Sequence, residues 1–137
     1  MRTSLLFIDH IPTPWSAHGG SGRRSYDKKA KEKQEYRRQI KEQWGNRKII
    51  STPITIYIHY ALPIPKGTSK KRREQMLKGE IYHIVRPDTT NLNKLAEDTL
   101  KGIVISDDSI VVDIRGKKRY GDKPSVQIWI HELIEDT

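Results

Sequence analysis

The hydrophobic pattern divides the chain into elements before any chemistry is considered. Residues 3–8 are short and apolar, the mark of a first strand. Residues 54–60 alternate, with Ile54, Ile56 and Ile58 on one side and Thr55, Tyr57 and His59 on the other, a half-buried strand. His59 is read as a structural or solvated side chain. Val126, Ile128 and Ile130 repeat the alternation in a strand over 126–133, and 109–115 reads as another. Residues 80–85 are expected to form a strand that Pro87 ends. Two stretches switch to helical spacing. Tyr26, Ala30, Tyr36, Ile40 and Trp44 predict a long helix over 23–44. Leu92, Leu95, Ala96, Thr99 and Leu100 predict a shorter one over 91–101, with Asp88, Thr89 and Thr90 as capping residues and Gly102 as its stop.

The intervals are punctuated by turn residues. Residues 9–22 hold Pro12, Pro14, Trp15, His18 and three glycines, a loop in which Trp15 is read as a core plug before a base stacker. Residues 66–79 form a polar excursion with a short helix capped by Thr68 or Ser69. Residues 116–124 are read as a hairpin loop. The sequence therefore predicts one α+β domain over 1–137, a mixed, largely antiparallel sheet with two main helices packed on one face.

Charge sharpens this. The chain has 137 residues, 34% of them hydrophobic and 31% charged, with a formal net charge of +9 and a pI near 9.8. Such a balance favours a polyanionic partner, most often nucleic acid. Between residues 23 and 48 eleven Lys or Arg face four acids, too one-sided for pairing along a helix alone. Candidate phosphate contacts are Arg23, Arg24 and Lys28 on the long helix, Lys70, Lys71, Arg72 and Arg73 in the polar excursion, and Lys117, Lys118 and Arg119 beside Tyr120. Zero cysteines exclude disulfides and cysteine-ligated zinc, and fit a reducing compartment. The apolar run 5–8 is too short for a membrane span, so a cytoplasmic protein is expected.

Acids crowd both ends of the shorter helix: Asp88 before it, Asp107 and Asp108 after it. Phosphodiester hydrolysis needs an activated water and a neutralised leaving oxygen, and a hard divalent cation held by two or three carboxylates supplies both. The helix is roughly 16 Å long at ~1.5 Å per residue, so the acids start at opposite ends. The linker 102–106 extends about 17 Å at most, enough to run back along the helix; a symmetric dimer is the alternative way to combine them. Lys94, about one turn in, faces either a scissile phosphate or an acid, and Asp98 is read as solvated or structural rather than metal-binding.

The string Asp88-Thr89-Thr90-Asn91-Leu92-Asn93-Lys94, with Asp98 and then Asp107-Asp108, resembles the RusA family of Holliday junction resolvases, whose pattern is Asp-x-Asp-Asn-Leu-x-Lys-x-x-x-Asp followed by Asp-Asp. The resemblance extends more weakly over nearly the whole chain. It implies a homodimeric, Mg²⁺- or Mn²⁺-dependent endonuclease that resolves four-way DNA junctions by paired symmetric nicks in recombination and repair. By position, Asp88, Asp108 and Lys94 match catalytic residues, and Asp88, Asp107 and Asp108 the metal ligands. Thr90 stands where the pattern often has a second aspartate, so the third acid falls to Asp107 or Asp98. Two other readings stay open: a non-catalytic nucleic-acid-binding module whose acids merely cap the helix, and a nuclease for flaps, forks or other branched DNA.

Overall fold

A computed structural model describes residues 2–17 and 29–133. The elements run β1 (Arg2–Ile8), α1 (Ala30–Trp44), β2 (Ile54–Leu62), α2 (Lys70–Leu77), α3 (Thr89–Leu100), a 3-10 turn (Asp108–Ile110), β3 (Val111–Tyr120) and β4 (Ser125–Glu132). The four strands form one mixed sheet in the order β1-β4-β2-β3. β4 pairs antiparallel with β1 and β2, while β2 and β3 are parallel. The expected α+β class therefore holds.

Period-two alternation aligns across the sheet. Leu6, Ile128, Ile58 and Gly116 form one cross-strand row, and Ile8, Val126, Tyr60 and Lys118 the next. These rows face the helices: Leu6, Ile8, Ile58, Val126 and Ile128 are buried with Tyr36, Ile40 and Trp44 of α1 and Leu92, Leu95 and Leu100 of α3. The other face carries Leu5, Trp129, Tyr57 and Arg115 in one row and Phe7, Gln127, His59 and Lys117 in the next.

Side chains complete what the ladders leave open. β1 is an edge strand, and an unpaired edge invites association. Two glutamines one turn apart on α1 satisfy part of it. Gln43 accepts from the Phe7 N–H at 2.8 Å and donates to its carbonyl at 2.6 Å. Gln39 does the same for Asp9, at 2.8 and 3.1 Å.

α3 is seated just as specifically. The Tyr60 hydroxyl donates to Oδ1 of Asn93 at 2.7 Å, and the Asn93 amide lies over Gly116 so closely that a Cβ there would collide with it. Gly116→Ala is therefore expected to cost about 1–3 kcal/mol through a forced shift of Asn93 or β3, read as a lower denaturant midpoint at unchanged slope. No loss would mean that α3 stands off the sheet.

Two expectations are corrected. Residues 80–85 are not a strand: the N–H groups of Glu80 and Ile81 bond to the carbonyl of Gln75, wrapping the end of α2 instead of joining a ladder. They run in turns and irregular backbone to the cis Arg86–Pro87 peptide. Residues 116–124 are not a hairpin loop, because parallel pairing with β2 extends β3 to Tyr120; only 121–124 turn, and β2 lies between β3 and β4. The long helix is described from Ala30, so its expected start at Arg23 lies outside the described residues. The short helix capped by Ser69 forms as expected, the Ser69 hydroxyl accepting from the Arg72 N–H.

Candidate nuclease site on helix α3

The site is built on α3 because its motif residues serve two faces. Leu92, Leu95, Ala96, Thr99 and Leu100 are buried. Asp88, Thr90 and Lys94 are exposed, and Glu97 is half-buried. Asp88 is the N-cap: Oδ1 accepts from the Asn91 N–H at 2.8 Å and Oδ2 from the Asn91 amide at 3.4 Å. A carboxylate there also faces the positive end of the helix dipole.

The loop after β1 closes over the first turns of α3. The Trp15 N–H donates to the carbonyl of Asn91 at 2.8 Å. Its ring lies 3.4 Å from Nζ of Lys94, a cation–π contact, while the indole packs partly buried against the core. Trp15 thus plugs and positions at once. The sequence held no signal for this pairing, which joins residues 79 positions apart.

At the other end of α3, Asp107 caps the 3-10 turn, accepting from the Ser109 N–H at 3.1 Å. The Ser109 side chain first, and then this N–H, hold its carboxyl below the usual range. Asp108 lies 3.7 Å from Nζ of Lys101. A cleft of about 210 Å³ is lined by Trp15, Lys94, Glu97, Asp98, Lys101 and Asp108. The second acidic turn therefore folds back against the end of the helix at Lys101 and shares a cleft with Lys94. Asp88 instead lines a separate cleft with Asn91.

Asp98 pairs with Lys33 at 3.1 Å, and its backbone carbonyl accepts from Arg37 at 3.0 Å, so it ties α3 to α1. Its structural reading fits these contacts. Glu97 was passed over in the sequence. Burial, and then the neighbouring charge of Asp108, raise its carboxyl above the usual value.

A raised carboxyl in the folded state means that ionising Glu97 costs stability as pH climbs through its folded value. Glu97→Gln is expected to melt above wild type at neutral pH and to match it below about pH 4, where both forms are neutral. Thermal melts across pH check this; a variant that is less stable at pH 7 would contradict it.

Among the described residues no group of three His, Cys, Asp or Glu side chains could hold a metal ion. As folded, the acids of one chain do not fit the three-ligand set that the resemblance implies: Asp88 sits in one cleft, Asp108 in the other, and Thr90 adds no carboxylate between them.

The basic residues divide. Lys70, Lys71 and Arg72 are exposed on α2, whereas Arg73 pairs with Asp122. Alternation along β3 splits the other cluster. Lys117 and Arg119 point to the open face of the sheet, beside His59. Lys118 turns inward and donates to the carbonyls of Val85 and Pro87 at 2.7 and 2.9 Å, clamping the chain that leads into Asp88. Arg23, Arg24 and Lys28 lie outside the described residues. No helix among the described residues is long and apolar enough to cross a membrane.

Comparison with known proteins agrees with the motif. Residues 13–131 match the model of the family described as endodeoxyribonuclease RusA. The uncharacterized protein YqaN of Bacillus subtilis (strain 168) is 34% identical over 87 residues, which cover 62% of this chain and 61% of that protein. The chain thus spans less than two thirds of the curated relative it matches.

Proposed function

The chain belongs to the RusA endodeoxyribonuclease family, and from that premise we propose that it is a structure-specific endonuclease that hydrolyses DNA strands at four-way junctions. The observation that carries the proposal is the exposed side of α3. There the motif residues Asp88 and Lys94 stand free of the core, with Asp108 in the cleft that Lys94 shares. Lys94 offers a cation for a phosphoryl oxygen, and Asp88 and Asp108 are the proposed catalytic carboxylates. A +9 chain with exposed Lys70, Lys71, Arg72, Lys117 and Arg119 supports binding of duplex arms through phosphates.

Dependence on Mg²⁺ or Mn²⁺ and a homodimeric state, in which acids of two chains would combine to hold the ion, are the finer parts of the proposal. Both come from the resemblance. A two-fold dimer presents two equal sites to two equal strands, which is the geometry of paired symmetric nicks.

A second reading is favoured by a specific observation: Asp88 and Asp107 are helix and turn caps, Asp98 is an ion-pair partner, and among the described residues no three acids converge. On that reading the protein binds branched nucleic acid without cutting it. Nick mapping on a four-way junction, a flap, a fork and a linear duplex separates the readings. The proposal expects opposed nicks at the junction and little cutting of the linear duplex. Preferred cutting of flaps or forks would reassign the substrate, and binding without nicks in all four would favour the binding module.

A further inference from the structure

The face of the sheet turned away from α1 and α3 keeps large apolar side chains in solvent: Leu5 is 55% exposed, Phe7 46% and Tyr57 37%. Tyr57, His59 and Trp129 meet near its centre. The His59 ring stands edge-on to the other two, its centroid 4.9 Å from each, and Tyr57 and Trp129 are 6.1 Å apart. Lys117 and Arg119 lie beside them on β3, both exposed. Burial first, and then the charges of these two residues, lower the His59 pKa, so the ring is neutral at neutral pH. The cross-strand rows through Thr55, Tyr57 and His59 hold one acid, Asp113, and it pairs with Arg115 at 3.0 Å. The face is therefore apolar along β1, aromatic in the middle and positive along β3.

We propose that this face binds an unpaired DNA strand, its bases stacked on Tyr57 and Trp129, which His59 braces, and its phosphates on Lys117 and Arg119. The inference takes DNA from the endonuclease reading and otherwise stands on this face alone. It goes beyond that reading, because α3 packs on the opposite side of the sheet. A strand held here is not the segment presented to Asp88 and Lys94. Aromatic side chains take the faces of bases and cations beside them take the backbone, the combination that holds single strands with little regard to sequence. A duplex shows only base edges in its grooves, so it cannot use the rings. Lys117 and Arg119 then serve the single strand, leaving Lys70, Lys71 and Arg72 for duplex arms.

A second copy of this chain fits the face less well. A two-fold contact sets a patch against itself. About an axis along the strands, β3 falls on the partner's β1, and lysine meets leucine and phenylalanine. About an axis across the strands, β3 falls on the partner's β3, and like charges meet. A DNA strand suits both halves: apolar base faces toward Leu5, Phe7 and the rings, negative phosphates toward β3.

The test is binding of a labelled oligothymidylate, a strand that does not pair with itself, in EDTA so that it does not depend on cleavage. Wild type is expected to bind it with quenching of Trp129 fluorescence, and Trp129→Phe to lose that quench. Tyr57→Ala is expected to bind about 10-fold more weakly, the loss of one stacked base. Lys117→Gln combined with Arg119→Gln should flatten the slope of log affinity against log salt by about 0.7 per lost phosphate contact. Unchanged affinity in Tyr57→Ala, or an unchanged slope in the double variant, would overturn the proposal. So would a quench that persists in Trp129→Phe, since it would report another tryptophan. If Tyr57→Ala fails to fold, the double variant, altered only at exposed side chains, decides together with the quench. A wild-type dimer that falls to monomer in Tyr57→Ala, with oligothymidylate binding unchanged, would give the face to a second copy and overturn the proposal. The expected binding pattern with no junction cleavage in any metal would keep the face and overturn the nuclease reading. Junction cleavage with none of these losses would do the reverse.

Discussion

Asp88→Asn is expected to lose strand cleavage by about 10²–10³-fold, the size of effect seen when one charged or dipolar group is removed from a reacting centre. The substitution is informative because Asp88 has two duties. Its Oδ1 caps α3 through the Asn91 N–H, and asparagine caps about as well as aspartate. Only the charge is removed, with a helix-dipole cost of about 0.3–1 kcal/mol. Melting should therefore change little, and junction binding should hold or strengthen, since one negative charge fewer faces the phosphates. Asp88→Ala, by contrast, should also lose about 1 kcal/mol of cap. Single-turnover cleavage and a thermal melt of both variants check the account. Full cleavage by Asp88→Asn would reduce Asp88 to a cap.

Leu95→Ala is expected to destabilise the protein by about 2–5 kcal/mol, from lost burial and the cavity left behind. Leu95 is fully buried in the core and lies on α3 beside Lys94, so the loss falls on the helix that carries the proposed site. For a chain of this size that shift is roughly 10 °C or more in melting temperature. Lys94→Met, one residue away but exposed, should cost no more than about 1 kcal/mol, the loss of its cation–π contact with Trp15. Denaturant unfolding of the pair shows whether α3 is anchored as described. Equal, small losses would mean that its apolar face does not carry it.

Much of this arrangement was legible in the residues because the signals were local. Alternating isoleucines marked β2, spacings of three and four marked α3, and Ser69, Asp88 and Gly102 marked where helices begin and end. The motif from Asp88 to Asp108 pointed to the family. What the sequence did not carry was pairing between distant segments. Nothing near 116–120 says that its ladder partner is β2, in parallel, rather than β4 across a hairpin. That partner extends β3 and turns Lys118 away from Lys117 and Arg119. Nothing in 80–85 says that two of its N–H groups go to the end of α2. The contacts of Trp15 with Lys94, of Gln39 and Gln43 with the edge of β1, and of Asn93 with Tyr60 are equally long-range. Glu97 was hidden for another reason: its carboxyl is raised by burial first and then by Asp108, and only the folded chain supplies either.

The most direct test of the central claim is incubation of the purified protein with a synthetic four-way junction in Mg²⁺, in Mn²⁺ and in EDTA, beside a linear duplex of the same sequence. The account predicts paired nicks in opposed strands of the junction in at least one of the two ions, none in EDTA, and an intact linear duplex. Tight junction binding with no nick in either ion would contradict it.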